Sequence, residues 1–356
     1  MAGSVVGGVS SNSLVGTHLF AATMRQLGRR DVDLVYADQD WAAAEAQLGA
    51  AVRRAYASKT LRVAKVGLIG HQAPGFVDLH PDPFAMHKTF HGAVLEHVAL
   101  DDLVARAKGL DAAAVAADMG LAMPGGFAKG ALAVDEKSSR LYLALRALID
   151  EENFDAVAIR CWPELPRDYG QWPYLAVTRL ADAGFPVACE GDVDGALTML
   201  VMKLLGCGAP YISDWLEHDA RSFVCWHGGM CPTCLCVEAG APGAPALAPH
   251  FNNKVPTVVD ATLKPGMAVT VARLWVCDGA YKLMVCDGAT EAPDRPLSGN
   301  NGRVALDLRD RGGRDLFACF EDWVVGSGMP HHVVIAEGHH KASLLKFARA
   351  HGLAVV

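Results

Sequence analysis

The chain has 356 residues, of which 51% are hydrophobic and 20% are charged; this balance supports large buried cores and excludes an intrinsically disordered protein. Its formal net charge of −7, without a long basic run, excludes nucleic acid and anionic membrane surfaces as expected partners. Because a single core stops growing near ~250–300 residues, the length predicts two or three compact units.

The N-terminal residues have the pattern of neither a targeting signal nor a membrane segment. They lack the basic start and the unbroken apolar stretch of a secretory signal, and no part of the chain reaches the ~18 uncharged apolar residues of a membrane-spanning helix. The ten cysteines all lie between Cys161 and Cys319. Without an export signal, we expect a cytoplasmic protein whose thiols are reduced.

The first third of the chain alternates helix and strand patterns. Apolar residues at helical spacing predict helices over residues 12–28 and 41–57. Short β-rich runs predict strands over residues 31–38 and 63–70, and residues 95–118 continue with a strand and then a helix. This order predicts a mainly parallel sheet with helices on its faces.

A second α/β stretch covers residues 137–240. Its predicted strands are residues 154–160, 185–190 and 210–215, and residues 195–206 form a helical pattern that ends at a glycine. Because strands again alternate with helices, we expect a second parallel unit here.

The composition changes at residues 239–249, a run of alanine, glycine and proline that is typical of a linker or a meandering loop. Short β-like runs broken by turn residues follow, and they predict a small antiparallel barrel or sandwich. These runs are residues 257–263, 268–276, 281–286, 303–309 and 317–325. Residues 339–352 predict a final helix.

The predicted fold class is therefore α/β, with two Rossmann-like parallel-sheet units followed by a small antiparallel β-barrel and a C-terminal helix. The expected units are residues 1–135 and 136–240, both α/β, and residues 241–356, which carry the barrel and the final helix.

Charged side chains end the three strands predicted in the second unit: Arg160, Glu190 and Asp214. Ligands of open α/β sheets bind at the carboxyl ends of strands, and two carboxylates placed there repel each other unless a cation lies between them. Oxygen ligands with one imidazole suit Mn²⁺ or Mg²⁺. An acid after a strand can instead cap a helix, and this alternative is open for Asp192 and Asp194.

Four histidines lie within ten residues near the end of the chain: His331, His332, His339 and His340. An imidazole from this run would complete an oxygen-rich cation site. A histidine is nevertheless more often structural or exposed than a metal ligand, and His339 and His340 could simply begin the final helix. The spacing alone leaves the role of each histidine open.

Three stretches resemble the L-fucose isomerase family: ACEGDVDGALTM (188–199), GAPYISDW (208–215) and GMPHHVVIAEGHH (328–340). In that family a glutamate of the first motif, an aspartate 24 residues later and a late histidine bind a divalent metal, and here 190 plus 24 is 214. The resemblance implies that Glu190, Asp214 and His332 hold Mn²⁺ (or Mg²⁺ or Co²⁺).

The resemblance also implies contacts with a sugar. AIRCWPE (158–164) matches a strand end that contacts sugar hydroxyls, and CWHGG (225–229) matches a loop that approaches the sugar. The implied substrate-binding residues are Arg160, Trp162, Glu164, His227 and His339. The fucose enzyme itself has a glutamine where this chain has Arg160.

VAKVGLIGHQAPGF (63–76) resembles the glycine-rich strand and loop of the family's central domain. By this resemblance, residues 1–135 are expected to form that central domain, and the family's additional N-terminal α/β domain is expected to be missing. A homo-oligomer is expected on the same basis.

The function that the resemblance implies is metal-dependent aldose–ketose isomerisation of the L-fucose isomerase type, on a deoxyhexose or a pentose, through a cis-enediol. Glu190 and Asp214 would transfer the proton between C1 and C2, and the metal would act as a Lewis acid. Which carboxylate is the base, and which aldose is bound, are open at this point.

Two alternatives are also open. Without the family's first domain, the chain could be a catalytically impaired remnant that binds a sugar or a metal. It could instead be a zinc or thiol protein, because CPTC is a CxxC pair and nearby residues would complete four zinc ligands within a short loop. That cluster is Cys225, His227, Cys231, Cys234 and Cys236.

Overall fold

The computed structural model of the chain describes residues 13–30, 32–36, 40–121 and 132–356. None of the helices in these ranges is long and apolar enough to cross a lipid bilayer. The α-helices are Ser13–Gln26 (α1), Trp41–Leu61 (α2), Pro83–Thr89 (α3), Leu100–Gly109 (α4), Ala112–Met119 (α5), Glu136–Glu152 (α6), Tyr174–Asp182 (α7), Val193–Leu204 (α8), Leu316–Glu321 (α9) and Lys341–His351 (α10).

The strands are Lys65–Ile69 (β1), Val94–Val98 (β2), Ala156–Ile159 (β3), Val187–Ala188 (β4), Tyr211–His218 (β5), Ser222–His227 (β6), Ala246–Ala248 (β7), Val258–Thr262 (β8), Ala268–Cys277 (β9), Ala280–Glu291 (β10), Asn300–Leu306 (β11), His332–Glu337 (β12) and Ala354–Val355 (β13). Short helical turns of other types are Val77–Leu79, Leu165–Tyr169, Thr233–Leu235, Arg309–Arg311 and Asp322–Gly326.

Aspartate side chains define where several helices begin. In each case a carboxylate oxygen accepts a hydrogen bond from the backbone N–H three residues further on, which satisfies a donor that the first helical turn leaves free. A cap of this kind typically contributes ~1 kcal/mol. The capping residues are Asp40, Asp82, Asp111, Asp135, Asp192 and Asp315.

Four strands form a parallel sheet in the order β2–β1–β3–β4. Every residue of β3 is buried, as expected for a parallel strand that is covered on both faces. The loop after β1 reaches the end of β4, where the N–H of Ala73 donates to the carbonyl of Glu190 at 3.0 Å. The carboxyl ends of these strands therefore meet at one edge of the sheet.

Six strands close into an antiparallel barrel in the order β10–β9–β12–β5–β6–β11, and β11 pairs back onto β10. Residues alternate between two cores along the barrel wall. In β12, Val333 and Ile335 pack into the hydrophobic core of the barrel. Val334 and Ala336 point the other way and pack into the hydrophobic core that the barrel shares with the parallel sheet. β8 extends the barrel beside β11, and β13 lies beside β10.

Helix α8 joins the two halves of the molecule. It contacts β1, β3 and β4 of the parallel sheet and also β9, β12 and β5 of the barrel. All its residues from Val193 to Met202 are buried, which is the pattern of a helix enclosed by protein on every side. The start of α8 is consequently buried where the sheet edge meets the barrel.

The predicted parallel α/β part, antiparallel barrel and C-terminal helix are confirmed. The structure has one parallel sheet where the sequence pattern predicted two, because β3 and β4 add directly to β1. Strands β5 and β6, which fall within predicted unit 136–240, belong to the barrel. The unit boundaries near residues 135 and 240 stay predictions.

Two predicted strands are wrong. Residues 32–36 form no strand, and the rest of the predicted strand at 31–38 lies outside the described residues; a β-rich run without a partner strand forms no ladder. Residues 317–325 are helical, in α9 and in the turn that follows. The buried residues of α9 and this turn are Leu316, Cys319 and Trp323, and they recur at helical spacing.

Candidate active site

Three chain segments bring the expected acidic and histidine residues to one place. Glu190 follows β4, Asp214 lies in β5 and His332 begins β12. β5 and β12 pair antiparallel, with Asp214 directly opposite His332. Asp214 therefore comes from the barrel and not, as the sequence pattern predicted, from the end of a parallel strand.

A tight turn after β4 positions Glu190. Glu190 and Gly191 both have left-handed backbone conformations, with φ of 61° and 73°. This conformation is uncommon for a residue with a side chain and costs ~1–3 kcal/mol, a kind of strain often found at functional sites. A Cβ atom on Gly191 would lie 2.5 Å from the carbonyl oxygen of His71, so the turn requires glycine there.

The carboxylates of Glu190 and Asp214 face the same imidazole nitrogen. His332 Nε2 lies 3.2 Å from Glu190 Oε2 and 3.4 Å from Asp214 Oδ1. The His332 side chain is fully buried, and the two carboxylates are largely so. The structure thus brings together the three residues that the resemblance singled out.

Two further imidazoles approach this centre. His331 Nε2 lies 3.6 Å from Glu190 Oε2 and 3.8 Å from Asp214 Oδ1, and its Nδ1 lies 2.7 Å from Asp78 Oδ2. His227, expected as a sugar contact, is buried beside them. Asp78 was not singled out from the sequence, and His331 was named only as one of the four histidines near the end of the chain.

The cluster fits a divalent cation. The Nε2 atoms of His227, His331 and His332 are buried without a hydrogen-bond partner, whereas buried polar atoms normally have one. Ligand atoms of Glu190, His227 and His332 lie within 4.8 Å of one another, and so do those of Asp214, His331 and His332. Carboxylate oxygens together with imidazole nitrogens suit a first-row divalent metal.

The charges of the cluster stabilise one another. Burial raises the pKa of Glu190, but the imidazoles of His331 and His332 outweigh this effect and hold that pKa well below its usual range. Burial and His332 oppose each other in the same way at Asp214, whose pKa is also lowered. Both carboxylates are therefore ionised near neutral pH, as a proton acceptor or a cation ligand must be.

His332 is held through its other ring nitrogen. Asp192 Oδ2 lies 2.8 Å from His332 Nδ1, and Arg273 donates to both oxygens of Asp192 at 2.5 and 2.9 Å. Asp192 also caps α8, which confirms the capping alternative for this residue. Asp194 does not cap the helix; it accepts a hydrogen bond from the hydroxyl of Tyr281 at 2.7 Å.

Among the other residues expected to contact the sugar, Trp162 donates to Glu190 Oε1 at 2.8 Å and lines the cavity described below. Arg160 is engaged elsewhere: its guanidinium donates to both carboxylate oxygens of Glu164 at 2.6 Å and to the carbonyl of Gln72 at 2.8 Å. Arg160 and Glu164 do not line that cavity.

His339 is not brought to the cluster. It lies beyond the far end of β12, and its Nε2 is 3.0 Å from the carbonyl oxygen of Gly288 in β10. Seven residues separate His339 from His332, and an extended strand of that length spans ~20 Å.

A cavity of about 690 Å³ opens onto Glu190 and Asp214. Among the residues that the structure describes, Arg167 is the one arginine or lysine that lines this cavity; its side chain is 63% exposed and binds both carboxylate oxygens of Asp168. Rings form most of the remaining wall, which is typical of a small-molecule site. The lining aromatic and histidine residues are Phe76, Trp162, Trp172, Tyr174, Trp226, His227, His250, Phe251 and His331.

Cys161 and Cys189 form a disulfide, with their Cα atoms 6.0 Å apart. The expectation that all thiols are reduced is wrong for this pair. Cys161 lies two residues after the end of β3, and Cys189 directly follows β4. These strands are parallel neighbours, and this adjacency cannot be read from a sequence separation of 28.

The geometry does not support the zinc alternative. Cys231 and Cys236 have their sulfurs 3.7 Å apart, and Cys225 is buried in the same core cluster. Within the described part of the chain, however, the cysteine cluster does not gather three ligand atoms within 4.8 Å. Cys234 is exposed.

Comparison with known proteins gives consistent relatives. A sulfoquinovose isomerase from Alkalicoccus urumqiensis is 30% identical over 342 residues, which cover 93% of this chain and 73% of that protein. A sulfoquinovose isomerase from Clostridium sp. (strain MSTE9) is 26% identical over 348 residues, 95% and 74% of the two chains. One from Priestia aryabhattai is 30% identical over 161 residues, 44% and 35%. No protein-family model matches the chain.

Proposed function

Because the chain belongs to the sulfoquinovose isomerase family, we propose that the cluster around Glu190, Asp214 and His332 is the catalytic centre of a metal-dependent sugar isomerase. The chain is an isomerase, an intramolecular oxidoreductase that interconverts an aldose and a ketose. The observation that carries the proposal is the approach of two carboxylates to His332 Nε2, at 3.2 and 3.4 Å, in a cluster whose buried imidazole Nε2 atoms lack a hydrogen-bond partner.

Glu190 and Asp214 transfer the proton between the two carbons. One carboxylate takes the proton from C2 of the aldose, the C2–H electrons form the C1=C2 bond, and the carbonyl electrons move to O1, which takes up a proton to give a cis-enediol. The enediol then loses its O2 proton as the carbonyl forms at C2, and a proton is delivered to C1, so two protons leave the sugar (from C2 and O2) and two return (to O1 and C1). Which carboxylate performs each transfer is left open. Both are ionised near neutral pH, so either can accept the first proton.

Neighbouring side chains orient these two groups. The indole N–H of Trp162 donates to Glu190 Oε1 at 2.8 Å, which leaves Oε2 facing His332. Asp214 is held by its position opposite His332 in the β5–β12 ladder. Proton transfer requires such positioning, because the rate falls steeply with misplacement of the reacting groups.

A divalent cation such as Mn²⁺, Mg²⁺ or Co²⁺, held by Glu190, Asp214 and His332, would supply Lewis-acid stabilisation of the oxygen charge that develops during the reaction. The Nε2 atoms of His227 and His331 are buried without a hydrogen-bond partner, and they support such an ion because it would give them a partner and would balance the charge of the buried carboxylates.

The proposed substrate is a sugar, and sulfoquinovose is the first candidate because the relatives carry that name. Arg167 supports a sulfonated sugar, since its guanidinium would face an anionic substituent at the cavity wall. The neutral deoxyhexose or pentose implied by the L-fucose isomerase resemblance stays a second possibility. The cytoplasmic location, the homo-oligomeric state and the preference for manganese stay predictions.

The test is a panel of aldoses that includes sulfoquinovose, L-fucose and arabinose, each incubated with the protein and Mn²⁺, with and without a chelator. Ketose formation that requires the metal supports the proposal. Sugar binding without ketose formation would instead favour the binding-only remnant, and turnover unaffected by the chelator would contradict the metal site.

A further inference from the structure

Asp192 and Arg273 form an ion pair with no solvent exposure on either side chain. Both oxygens of the carboxylate accept from the guanidinium, at 2.5 and 2.9 Å, and Oδ1 also accepts from the N–H of Gly195 at 2.8 Å. Among the described residues, the remaining hydrogen-bond contact of this carboxylate is His332 Nδ1, 2.8 Å from Oδ2. We propose that Asp192, fixed by Arg273, is a positioning residue that keeps His332 Nε2 directed at Glu190 and Asp214; this inference rests on the proposed function.

The ionised carboxylate of Asp192 determines which ring nitrogen of His332 remains available to bind a cation. An ionised carboxylate can only accept hydrogen bonds, so His332 must carry a proton on Nδ1 to contact Asp192. The nitrogen that can give a lone pair to a cation is then Nε2, which lies 3.2 Å from Glu190 Oε2. Outer hydrogen-bond partners of this kind commonly fix the orientation of a metal-binding imidazole.

The helix-capping role of Asp192 alone does not explain why Arg273 is buried beside it. Asp40, Asp82, Asp111 and Asp315 cap their helices in the same way, and no ion pair joins any of these four to another described residue. Burying an arginine with a carboxylate carries a large desolvation cost, and well-packed apolar side chains would often be as stable. The buried ion pair is therefore better explained by its contact with His332 than by its contribution to the stability of the fold.

The position of the pair fits this role. Asp192 precedes α8 on the parallel-sheet side, whereas Arg273 and His332 belong to barrel strands β9 and β12. Glu190 comes from the first half and Asp214 from the second. The Asp192 contacts thus tie the two halves together beside the catalytic cluster, where a small shift would separate the ligands.

The experiment measures Mn²⁺ binding to the chelator-treated protein by isothermal titration calorimetry, together with the ¹⁴N modulation of the electron spin echo of the Mn²⁺-loaded protein, which reports imidazole ligation. We expect Asp192→Asn to weaken Mn²⁺ binding about 10–100-fold and to reduce the ¹⁴N modulation. The matched control is Asp118→Asn, because Asp118 pairs with Arg179 through two hydrogen bonds at similar burial, with side chains 4% and 9% exposed, and does not contact the cluster.

A double variant, D192N/R273M, distinguishes the loss of His332 positioning from the effect of leaving the buried Arg273 guanidinium without its carboxylate partner. It should fold, as judged by circular dichroism, and still bind Mn²⁺ weakly, while D118N stays within about twofold of the wild type. Wild-type affinity in D192N, or its return in the double variant, would overturn the inference and leave the proposed function intact. A wild-type protein that binds no Mn²⁺ would overturn both.

Discussion

His332 and Asp214 are cross-strand neighbours in the β5–β12 ladder, and the imidazole Nε2 lies 3.4 Å from the carboxylate Oδ1. Directly opposite residues of an antiparallel pair have Cβ atoms only ~4.5–5.5 Å apart, so strand register alone brings these two groups together. Glu190 has no such partner and depends on its left-handed turn and on Trp162. In this cluster, strand register therefore positions His332 and Asp214, whereas a tight turn positions the Glu190 carboxylate.

Replacing Glu190 with glutamine should abolish most of the isomerase activity without unfolding the protein. The amide cannot accept the proton, and loss of a positioned proton-transfer group typically costs about 10²–10⁴-fold in turnover. The measurement is the rate of ketose formation, with circular dichroism melting to check the fold. Glu217→Gln serves as the control, since Glu217 is an exposed partner of Arg295 in the strand that carries Asp214. Turnover of E190Q close to the wild type would contradict the assignment.

Replacing His332, the imidazole that both carboxylates approach, should remove most of the stabilisation of the folded protein by Mn²⁺. A ligand that binds only the folded state at about 100 times its Kd adds ~2.7 kcal/mol to the free energy of unfolding, so the wild type should melt at a higher temperature with Mn²⁺ than with chelator. His332→Gln should lose most of this shift, and His339→Gln should keep it because His339 contacts the carbonyl of Gly288 instead. An equal loss in both variants would show that the metal does not bind at the cluster.

Arg167→Gln should discriminate between sulfonated and neutral sugars. A hydrogen bond to a charged group is stronger than one between neutral groups, and the solvent exposure of Arg167 weakens this effect. We expect kcat/KM for sulfoquinovose to fall by about tenfold and kcat/KM for a neutral aldose to stay nearly constant. Arg221→Gln, at an exposed pair with Glu291, controls for the loss of surface charge. Equal losses on both sugars would remove Arg167 as a specificity determinant.

Asp194 should make the free energy of unfolding depend on pH. Burial raises the pKa of its carboxyl to about 6, above the ~3.9 of an exposed aspartate. A raised carboxyl pKa stabilises the fold fully below the unfolded pKa, and that stabilisation, at most ~3 kcal/mol, is lost as pH rises through about 6. Asp194→Asn keeps an acceptor for the Tyr281 hydroxyl and removes the titration.

Urea unfolding of the wild type and D194N at about pH 4.5, 6 and 8 checks this prediction. The wild type should lose stability relative to D194N as pH rises. Asp118 offers the opposite case: burial raises its pKa, but Arg179 outweighs burial and lowers it. The difference between the wild type and D118N should therefore stay constant over the same range. A wild-type-to-D194N difference that does not change with pH would contradict the raised pKa.

Sequence motifs identified Glu190, Asp214 and His332, yet they misplaced the sheet to which Asp214 belongs. The run PYISDW has the pattern of a strand after a helix, and nothing local distinguishes a parallel strand from the first strand of a barrel. His339 was paired with His332 by motif spacing, although a strand of that length carries the two imidazoles apart. Spacing predicts proximity only once the conformation between two residues is known.

Composition, periodicity and motifs were enough to predict the α/β part, the following barrel, the terminal helix and three residues of the cluster, because each depends on residue types at short range or on motif resemblance. Only the tertiary structure decided that one parallel sheet serves both predicted α/β units, that His331 and Asp78 approach the centre, and that Arg273 reaches Asp192. Those contacts join segments far apart in the chain. Strand adjacency and side-chain direction, on which they depend, arise from global packing and leave no local pattern.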